Sequence, residues 1–298
     1  MELLAEKPER ADPKTPVHLP NEPLSLAVQN VNFQYKDDQR QILNDISFKI
    51  PAGETWALVG ESGCGKSTLS RLFTGLIEPT SGRVLVNGTD LNKIGRKQIR
   101  SNVGTVSQDC PLFNATIKEN ISYSKLDASD DDVINAAKNA ELKFEKFEDG
   151  LESLVGERGL ALSGGEKQRV AIARVLIKQP NAIILDEATS ALDSITESQI
   201  QKTLMAMAKG KTCLIIAHRL EDNFLHSVCN KTFRLSTIVH ADKILLISNG
   251  EILESGTHKT LLQDGGYYSQ LWNEQLKLNI APDDPNADEP ADKETKTT

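Results

Sequence analysis

An eight-residue run near the start of the chain constrains its fold more than any other feature. Residues 60–67 read GESGCGKS and match the pattern GxxxxGK(S/T) in full. A short apolar stretch, Thr55–Val59, precedes the run, and apolar residues recur behind it at helical spacing from Leu69 to Leu76. A strand, a glycine-rich loop and a helix in this order open an α/β unit whose loop N–H groups and helix N-terminus favour phosphate. A plain glycine-rich turn is the alternative, but the full pattern in this context favours phosphate binding.

The side chains of residues 60–67, which we call the phosphate loop, predict ATP and Mg²⁺ as ligands. Lys66 would hold the β- and γ-phosphates, and Ser67 would ligate Mg²⁺. Residues 182–187, AIILDE, are typical of an apolar strand that ends in two acids. Asp186 would hold Mg²⁺ through water, and Glu187 would act as the general base for the attacking water. Such an acid pair is as often a plain surface feature, so the interpretation depends on the loop upstream. The predicted nucleotide ligands in and beside the loop are Gly60, Glu61, Ser62, Gly63, Cys64, Gly65, Lys66, Ser67 and Thr68.

A second glycine-containing run predicts another phosphate contact. Residues 162–166 read LSGGE, and KQRVAIAR follows as far as Arg174. Ser163, Gly164, Gly165 and Glu166 would open a helix whose positive end attracts phosphate. A simple helix cap is the alternative. The position of the run shortly before the Asp186 strand favours the phosphate site.

Composition excludes several classes of protein. The net charge of −8 and the lack of a basic cluster argue against a nucleic-acid binder. The four cysteines are scattered and form no CxxC pair, which predicts neither a disulfide framework nor a zinc site and favours a reducing compartment. No stretch approaches the roughly 18 apolar residues that a membrane-spanning helix needs, and the first ten residues lack the pattern of a targeting signal.

The order of these segments predicts an α/β protein in three parts. Residues 1–25 are rich in Pro, Glu and Lys and are typical of a linker, and residues 278–298 predict a disordered acidic tail. Between them, residues 26–277 form one domain, in which a mainly helical block at about 109–178 interrupts the α/β core. Strands are predicted from Leu26 and at Ile46–Ile50, Thr55–Val59, Arg83–Val86, Val103–Ser107, Ala182–Asp186, Thr212–Ala217, Ile244–Ser248 and Glu251–Glu254.

In this order, the motifs resemble those of the ATP-binding-cassette (ABC) ATPase family, from Leu26 to about Gln275. The resemblance implies a P-loop NTPase (RecA-like) core with an N-terminal antiparallel β subdomain and an inserted helical subdomain. It also implies that two copies close face to face on ATP, with the phosphate loop of one against the LSGGE helix of the other. Further roles are implied residue by residue. Tyr35 would stack on adenine, Gln108 would reach Mg²⁺ and the attacking water, and Ser163–Gly165 would contact the γ-phosphate. Asp193 would cross the dimer interface, and His218 would be the switch histidine. Considered alone, Tyr35 and His218 are ordinary strand residues, and only their place in the series suggests these roles.

Four further segments are similar to those of B-type export half-transporters. They are ELLAEKPE at 2–9, LFNATIKENISYS at 112–124, VGERG at 155–159 and DEATSALDS at 186–194. In that branch the VGERG loop contacts the coupling helices of a transmembrane domain, so Val155–Gly159 and the region near Gln108 would be the contact here. The nearest similarity is to mitochondrial and vacuolar half-transporters linked to glutathione-associated metal or iron–sulfur cargo. This implies a mitochondrial inner or vacuolar membrane, with residues 1–25 as the link to a transmembrane domain outside this chain.

Two other classes remain as alternatives, and two features need a test. Soluble ABC ATPases of translation or DNA maintenance usually carry two cassettes or a long coiled coil, and neither occurs here. A regulatory cassette without catalysis is disfavoured by the intact catalytic residues. The family pattern breaks after His218, where about 15 residues, roughly 221–235, look inserted. They are either a real surface loop or translated non-coding sequence, and a real loop that displaces the histidine would impair hydrolysis. Cys64 lies in the phosphate loop at a helix start, which predicts an alkylation that MgATP blocks; the alternative is a small side chain that simply fits.

Overall fold

The computed structural model describes residues 12–35, 40–107, 110–186, 194–217 and 238–280, which form two sheets with helices around them. The strands are β1 Leu26–Gln34, β2 Gln41–Ile50, β3 Thr55–Val59, β4 Ser81–Val86, β5 Thr89–Asp90, β6 Val103–Ser107, β7 Ala182–Asp186, β8 Thr212–Ile216, β9 Lys243–Ser248 and β10 Glu251–Gly256. The helices are α1 Lys66–Phe73, α2 Arg96–Asn102, α3 Ile117–Ser122, α4 Asp130–Asn139, α5 Gly164–Leu176 and α6 Ser194–Ala208, followed by the C-terminal helices His258–Gln263 and Tyr267–Ile280. Short 3₁₀ turns occupy Leu91–Lys93, Phe144–Lys146, Gly150–Glu152 and Glu157–Gly159.

The larger sheet has the strand order β10-β9-β3-β8-β7-β6. All its neighbours are parallel except β10, which pairs antiparallel with β9. Every residue of β8 is buried, as expected for a parallel strand covered on both faces. Ligands of such sheets bind beyond the carboxyl ends of the strands. The phosphate loop follows β3 and Asp186 ends β7, so both lie at this edge.

The smaller sheet has the order β2-β1-β4-β5 and is antiparallel throughout. Its apolar side chains, such as Leu26 and Val28, share one core cluster with Leu69 and Phe73 of α1. The antiparallel β unit at the N-terminal side of an α/β core is therefore confirmed, and it packs on the helix that starts at the phosphate loop.

The segment between β6 and β7 is less helical than its sequence pattern predicts. Helices α4 and α5 are separated by residues 140–163, whose regular structure consists of 3₁₀ turns and an isolated β-bridge between Leu154 and Thr116. Gly150, Gly156 and Gly159 have positive φ in this stretch and interrupt regular helix. The start of α4 agrees with the sequence, because the Ser129 hydroxyl accepts a hydrogen bond from the N–H of Asp132 in a capping box.

The half-buried Arg174 of helix α5 joins the loop before α3 and helix α3 itself to α5. The Arg174 guanidinium donates to the carbonyl oxygens of Asn120 (2.6 Å) and Pro111 (2.7 Å). Its Cζ also lies 5.7 Å from the ring centroid of Phe113. Asn120 is fully buried, and its side chain also bonds the backbone of Phe113 and Thr116. Its backbone carbonyl accepts from Arg174, which pairs a buried polar group. Arg174 therefore holds the helical segment together.

The segment ahead of β1 lies against the domain in extended form. The Val17 N–H donates to the Lys93 carbonyl (2.9 Å), and Asp12 pairs with Arg96 (3.3 Å). Leu24 is fully buried. Across the described ranges, no helix has the length and apolar character to cross a membrane. The predicted insertion at 221–235 and residues 281–298 of the predicted tail lie outside those ranges.

Candidate functional site

The phosphate loop takes a backbone path that only glycine allows at two positions. Gly60 has φ of 154° and Gly65 has φ of 105°. A Cβ on Gly60 would lie 2.0 Å from the carbonyl oxygen of Ile247, and one on Gly65 would lie 2.5 Å from Cδ2 of Leu43. The loop is thus enclosed between β9 and β2. Its shape follows from the missing side chains, as a backbone cradle for phosphate requires.

The ammonium group of Lys66 turns back onto this loop. Lys66 is 1% exposed, and its Nζ donates to the carbonyl oxygens of Gly60 and Glu61, each at 2.7 Å. Burial lowers the pKa of Lys66, although the charges of Asp186 and Glu61 act in the opposite direction. Lys66 is therefore a desolvated cation held by two neutral acceptors. A phosphate oxygen would satisfy it better than either carbonyl does.

Ser67 and Asp186 lie next to each other, as the sequence predicts for a shared metal site. The hydroxyl of Ser67 donates a hydrogen bond to the Asp186 carboxylate. Burial raises the pKa of Asp186, and this effect is partly offset by that hydrogen bond and by Lys66. A hydroxyl and a carboxylate are hard oxygen donors of the kind that Mg²⁺ prefers. The residues present therefore fit a magnesium ion bound with ATP.

Tyr35 lies at the end of β1, beside helix α1. Its hydroxyl is 3.4 Å from Oγ1 of Thr68 and accepts a hydrogen bond from Nη1 of Arg71 at 3.2 Å. The ring of Phe33 packs edge-on against it, with centroids 4.7 Å apart. The ring is half-buried and fixed in place. Its predicted stacking on adenine stays a prediction.

Ser163 begins α5 with a capping box. The Ser163 N–H and hydroxyl donate to Oε2 of Glu166 at 2.8 and 2.7 Å, and the Glu166 N–H donates to Oγ of Ser163 at 3.3 Å. Glu166 is thus engaged as a cap, a role that the Ser-x-x-Glu spacing indicates. Gly164 and Gly165 keep the helix end open.

An open cavity of about 290 Å³ lies in front of this helix end. Besides residues 163–166, its walls include the cations Lys143, Lys146 and Arg169. Arg169 is held by the carbonyl oxygen of Ala140 (3.2 Å) and by Oε1 of Gln199 (3.0 Å). The sequence analysis missed these three cations. Lys143 and Lys146 lie 20 and 17 residues before Ser163, and no local pattern links them to it.

Several predicted site residues lie outside the described ranges: Gln108, Glu187, Asp193 and His218. Their predicted roles stay predictions. Cys64 lies within the described ranges and is only 4% exposed, and its Sγ lies 3.5 Å from Nζ of Lys66. Alkylation of this thiol requires the loop to open, so the predicted reaction would be slow.

Large apolar side chains are exposed on the helical segment, close to residues 155–159. The rings of Phe113 and Tyr123 lie 4.5 Å apart. Leu154 and Leu160, which flank residues 155–159, are 67% and 80% exposed. We call these four residues the apolar group. Such a concentration of exposed apolar surface marks an interaction site more often than a random surface does.

Comparison with known proteins shows the family of the chain. The family model described as "ABC transporter" matches residues 43–190. The chain is 44% identical over 259 residues to "ABC transporter B family member 24, mitochondrial" of Arabidopsis thaliana, covering 86% of this chain and 36% of that protein. It is also 44% identical over 284 residues to "Heavy metal tolerance protein" of Schizosaccharomyces pombe, covering 92% of this chain and 32% of the relative. The chain thus spans about a third of the length of these two relatives.

A solved structure supports the same assignment. The chain superposes with a TM-score of 0.81 and 41% identity on the structure titled "Structure of a bacterial Atm1-family ABC exporter with ATP bound". The match covers 95% of this chain and 46% of that one. The chain belongs to the ABC transporter family and is an ABC ATPase domain.

Proposed function

We propose that this domain hydrolyses ATP in a face-to-face dimer and thereby drives export of a substrate across a membrane through a transmembrane domain. The one observation that carries the dimer is the separation of the two phosphate sites. Among the described residues, none of the phosphate loop lines the cavity in front of Ser163. A single chain therefore offers two half-sites, and a second copy would complete both.

The residue roles follow from chemistry and placement. Lys66 and the loop N–H groups would bind the β- and γ-phosphates, and Tyr35 would stack on adenine. From the second copy, Ser163 and the following glycines would contact the γ-phosphate, with Lys143 and Lys146 adding positive charge around it. Glu187 would activate the attacking water, and His218, Gln108 and Asp193 would act as the family resemblance implies.

Mg²⁺ would be held by Ser67 and by Asp186, with Gln108 completing the set. When bound, it would neutralise charge on the phosphates during transfer. The Ser67 hydroxyl orients the Asp186 carboxylate, and the burial of Asp186 excludes competing solvent.

Contact with a transmembrane domain is proposed for the apolar group, together with Val155–Gly159 and the region near Gln108. Val155 is fully buried, whereas Leu154 and Leu160 on either side of the loop are exposed, so this loop presents apolar side chains from a fixed backbone. The length of the relatives beyond the matched region leaves room for such a domain. We place the protein in an organellar membrane, mitochondrial inner or vacuolar. The Arabidopsis relative is named mitochondrial, which supports this placement.

Complementation between two inactive variants tests the proposal. Lys66→Ala would disable the phosphate loop, and Ser163→Arg would block the opposite half-site. In a mixed dimer, one site carries both defects and the other carries none. Each variant alone should be inactive, whereas an equal mixture should recover up to about a quarter of the parent rate, because random pairing makes half the dimers mixed with one intact site each.

The companion measurement is the dependence of activity on protein concentration. Activity of the parent should rise more steeply than linearly until dimers dominate. Strictly linear activity of a proven monomer, or Ser163→Arg protein as active as the parent, would contradict the dimer.

A further inference from the structure

A hydroxyl from the C-terminal helix contacts the phosphate loop. Tyr267, the first residue of helix Tyr267–Ile280, donates from its hydroxyl to Oε1 of Glu61 at 2.7 Å. Glu61 is the second residue of the phosphate loop. The two residues are 206 positions apart in the chain, so this contact exists only in the folded domain.

Tyr267 is presented to the loop by a rigid support. The backbone N–H groups of Tyr267 and Tyr268 donate to the two carboxylate oxygens of Glu254, at 2.6 and 3.1 Å. This carboxylate therefore caps the helix N-terminus, where a negative charge is favourable. Gly266 leaves space for it, because a Cβ there would lie 2.4 Å from Oε1 of Glu254. The position of Tyr267 is thus fixed by β10.

Glu61 in turn is linked to the catalytic lysine. Its carbonyl oxygen accepts a hydrogen bond from Nζ of Lys66 at 2.7 Å. Its carboxylate is near enough for its charge to raise the pKa of Lys66. A carboxylate in a loop that receives phosphate is a competitor for the same ammonium. Because Oε1 of Glu61 accepts the hydrogen bond from Tyr267, this oxygen is held at the C-terminal helix.

We propose that Tyr267 is a positioning residue for ATP binding, which holds the Glu61 carboxylate on the C-terminal helix and so keeps Lys66 available for phosphate. The inference rests on the proposed function of the phosphate loop. Tyr267 touches no phosphate itself and acts only through Glu61. Loss of its hydroxyl should weaken MgATP binding and leave the chemical step intact.

The test compares Tyr267→Phe with Tyr268→Phe in the full chain, by the Kd for MgATP and by steady-state ATPase activity. Both changes remove one hydroxyl from adjacent residues of one helix, but the Tyr268 hydroxyl bonds Nδ1 of His258 at 2.8 Å. For Tyr267→Phe we expect Kd and KM to rise about 3- to 10-fold. This rise corresponds to part of the free energy that a hydrogen bond to a charged group contributes. The value of kcat should change less than about twofold, and Tyr268→Phe should match the parent in Kd and KM.

A double variant separates positioning from a general loss of structure. In a Glu61→Gln background the competing charge is gone, so adding Tyr267→Phe should change Kd by less than about twofold. An equal effect of Tyr267→Phe in both backgrounds, or a parental Kd for Tyr267→Phe alone, would overturn the inference. Lys66→Ala distinguishes this failure from a failure of the ATP site: if it binds MgATP like the parent, the proposed function itself is wrong.

Discussion

Replacing Lys66 with methionine should stabilise the nucleotide-free domain and abolish its stabilisation by MgATP. The Lys66 side chain is 1% exposed, and its ammonium donates to the uncharged carbonyl oxygens of Gly60 and Glu61. It also donates, at 3.5 Å, to Sγ of Cys64. Burial lowers its pKa, which means that the folded domain disfavours the charged form. Methionine has a similar length and carries no charge to desolvate.

The expected size of the effect follows from two opposing contributions. Replacing a buried ion pair by apolar side chains of similar volume is often neutral or stabilises a protein by roughly 1–4 kcal/mol. Here the two carbonyl hydrogen bonds and the nearby Asp186 charge recover part of that cost, so we expect about 1 kcal/mol, or about 2–4 °C in Tm for a domain of this size. In the parent, MgATP at a hundred times its Kd should add about 2.7 kcal/mol. Lys66→Met should gain almost none of this.

The assay is urea unfolding of the parent and of Lys66→Met, each with and without MgATP. Lys49→Met is the matched control, because Lys49 is exposed on β2 and its replacement should change neither quantity. The difference without nucleotide should also depend on pH. The folded pKa of Lys66 lies below its ordinary 10.5. The charged lysine therefore destabilises the folded parent fully at a pH below the folded pKa, and this destabilisation disappears as pH rises past 10.5.

Two results would refute this reasoning. If Lys66→Met without nucleotide is less stable than the parent, the lysine is a net stabiliser and its burial is fully compensated. If MgATP stabilises both proteins equally, Lys66 does not bind the nucleotide.

Three further predictions concern the site and its support. Because burial raises the pKa of Asp186 above its ordinary 3.8, its stabilising contribution is present below pH 3.8 and is lost as pH rises through the folded value. MgATP affinity should therefore weaken on acidification at a pH above 3.8, and the pH profile of Asp186→Asn should lack the component that Asp186 contributes to the parent profile. Arg174→Met should lower the free energy of unfolding by about 2 kcal/mol, because it removes the donor to the buried carbonyl oxygen of Asn120, and equilibrium MgATP binding should be unchanged. The double variant Lys143→Ala with Lys146→Ala should lower kcat several-fold without changing MgATP binding to a single chain, whereas Lys138→Ala, exposed on α4, should keep the parental kcat.

Local patterns in the sequence were sufficient to predict the strands that position the site. The bounds of β3, β6 and β7 agree with the prediction because each is a short apolar run bounded by polar or turn residues. The contact of Ser67 with Asp186 was also predictable, because both follow from motifs whose chemistry requires them together.

Features that depend on distant residues could not be predicted in this way. The stretch at 140–163 lacks helix because glycines with positive φ and packing on α5 override its local propensity. Lys143 and Lys146 reach the cavity before Ser163 only through the path of that stretch. Likewise, no periodicity links Tyr267 to Glu61, since their contact depends on where β10 places the last helix.

The contacts of Lys66 also bear on how the domain releases its product. The carbonyl oxygens of Gly60 and Glu61 accept hydrogen bonds from the same Lys66 ammonium that would bind phosphate. ATP must therefore displace these contacts, which lowers its affinity relative to an open, preorganised cradle. The same carbonyls can return to Lys66 as a product departs, so the cation is not left buried without a partner, a state that would cost several kcal/mol. A phosphate loop that supplies its own weak acceptors thus binds ATP less tightly and releases products sooner, which suits the proposed cycle, in which the dimer reopens after each hydrolysis.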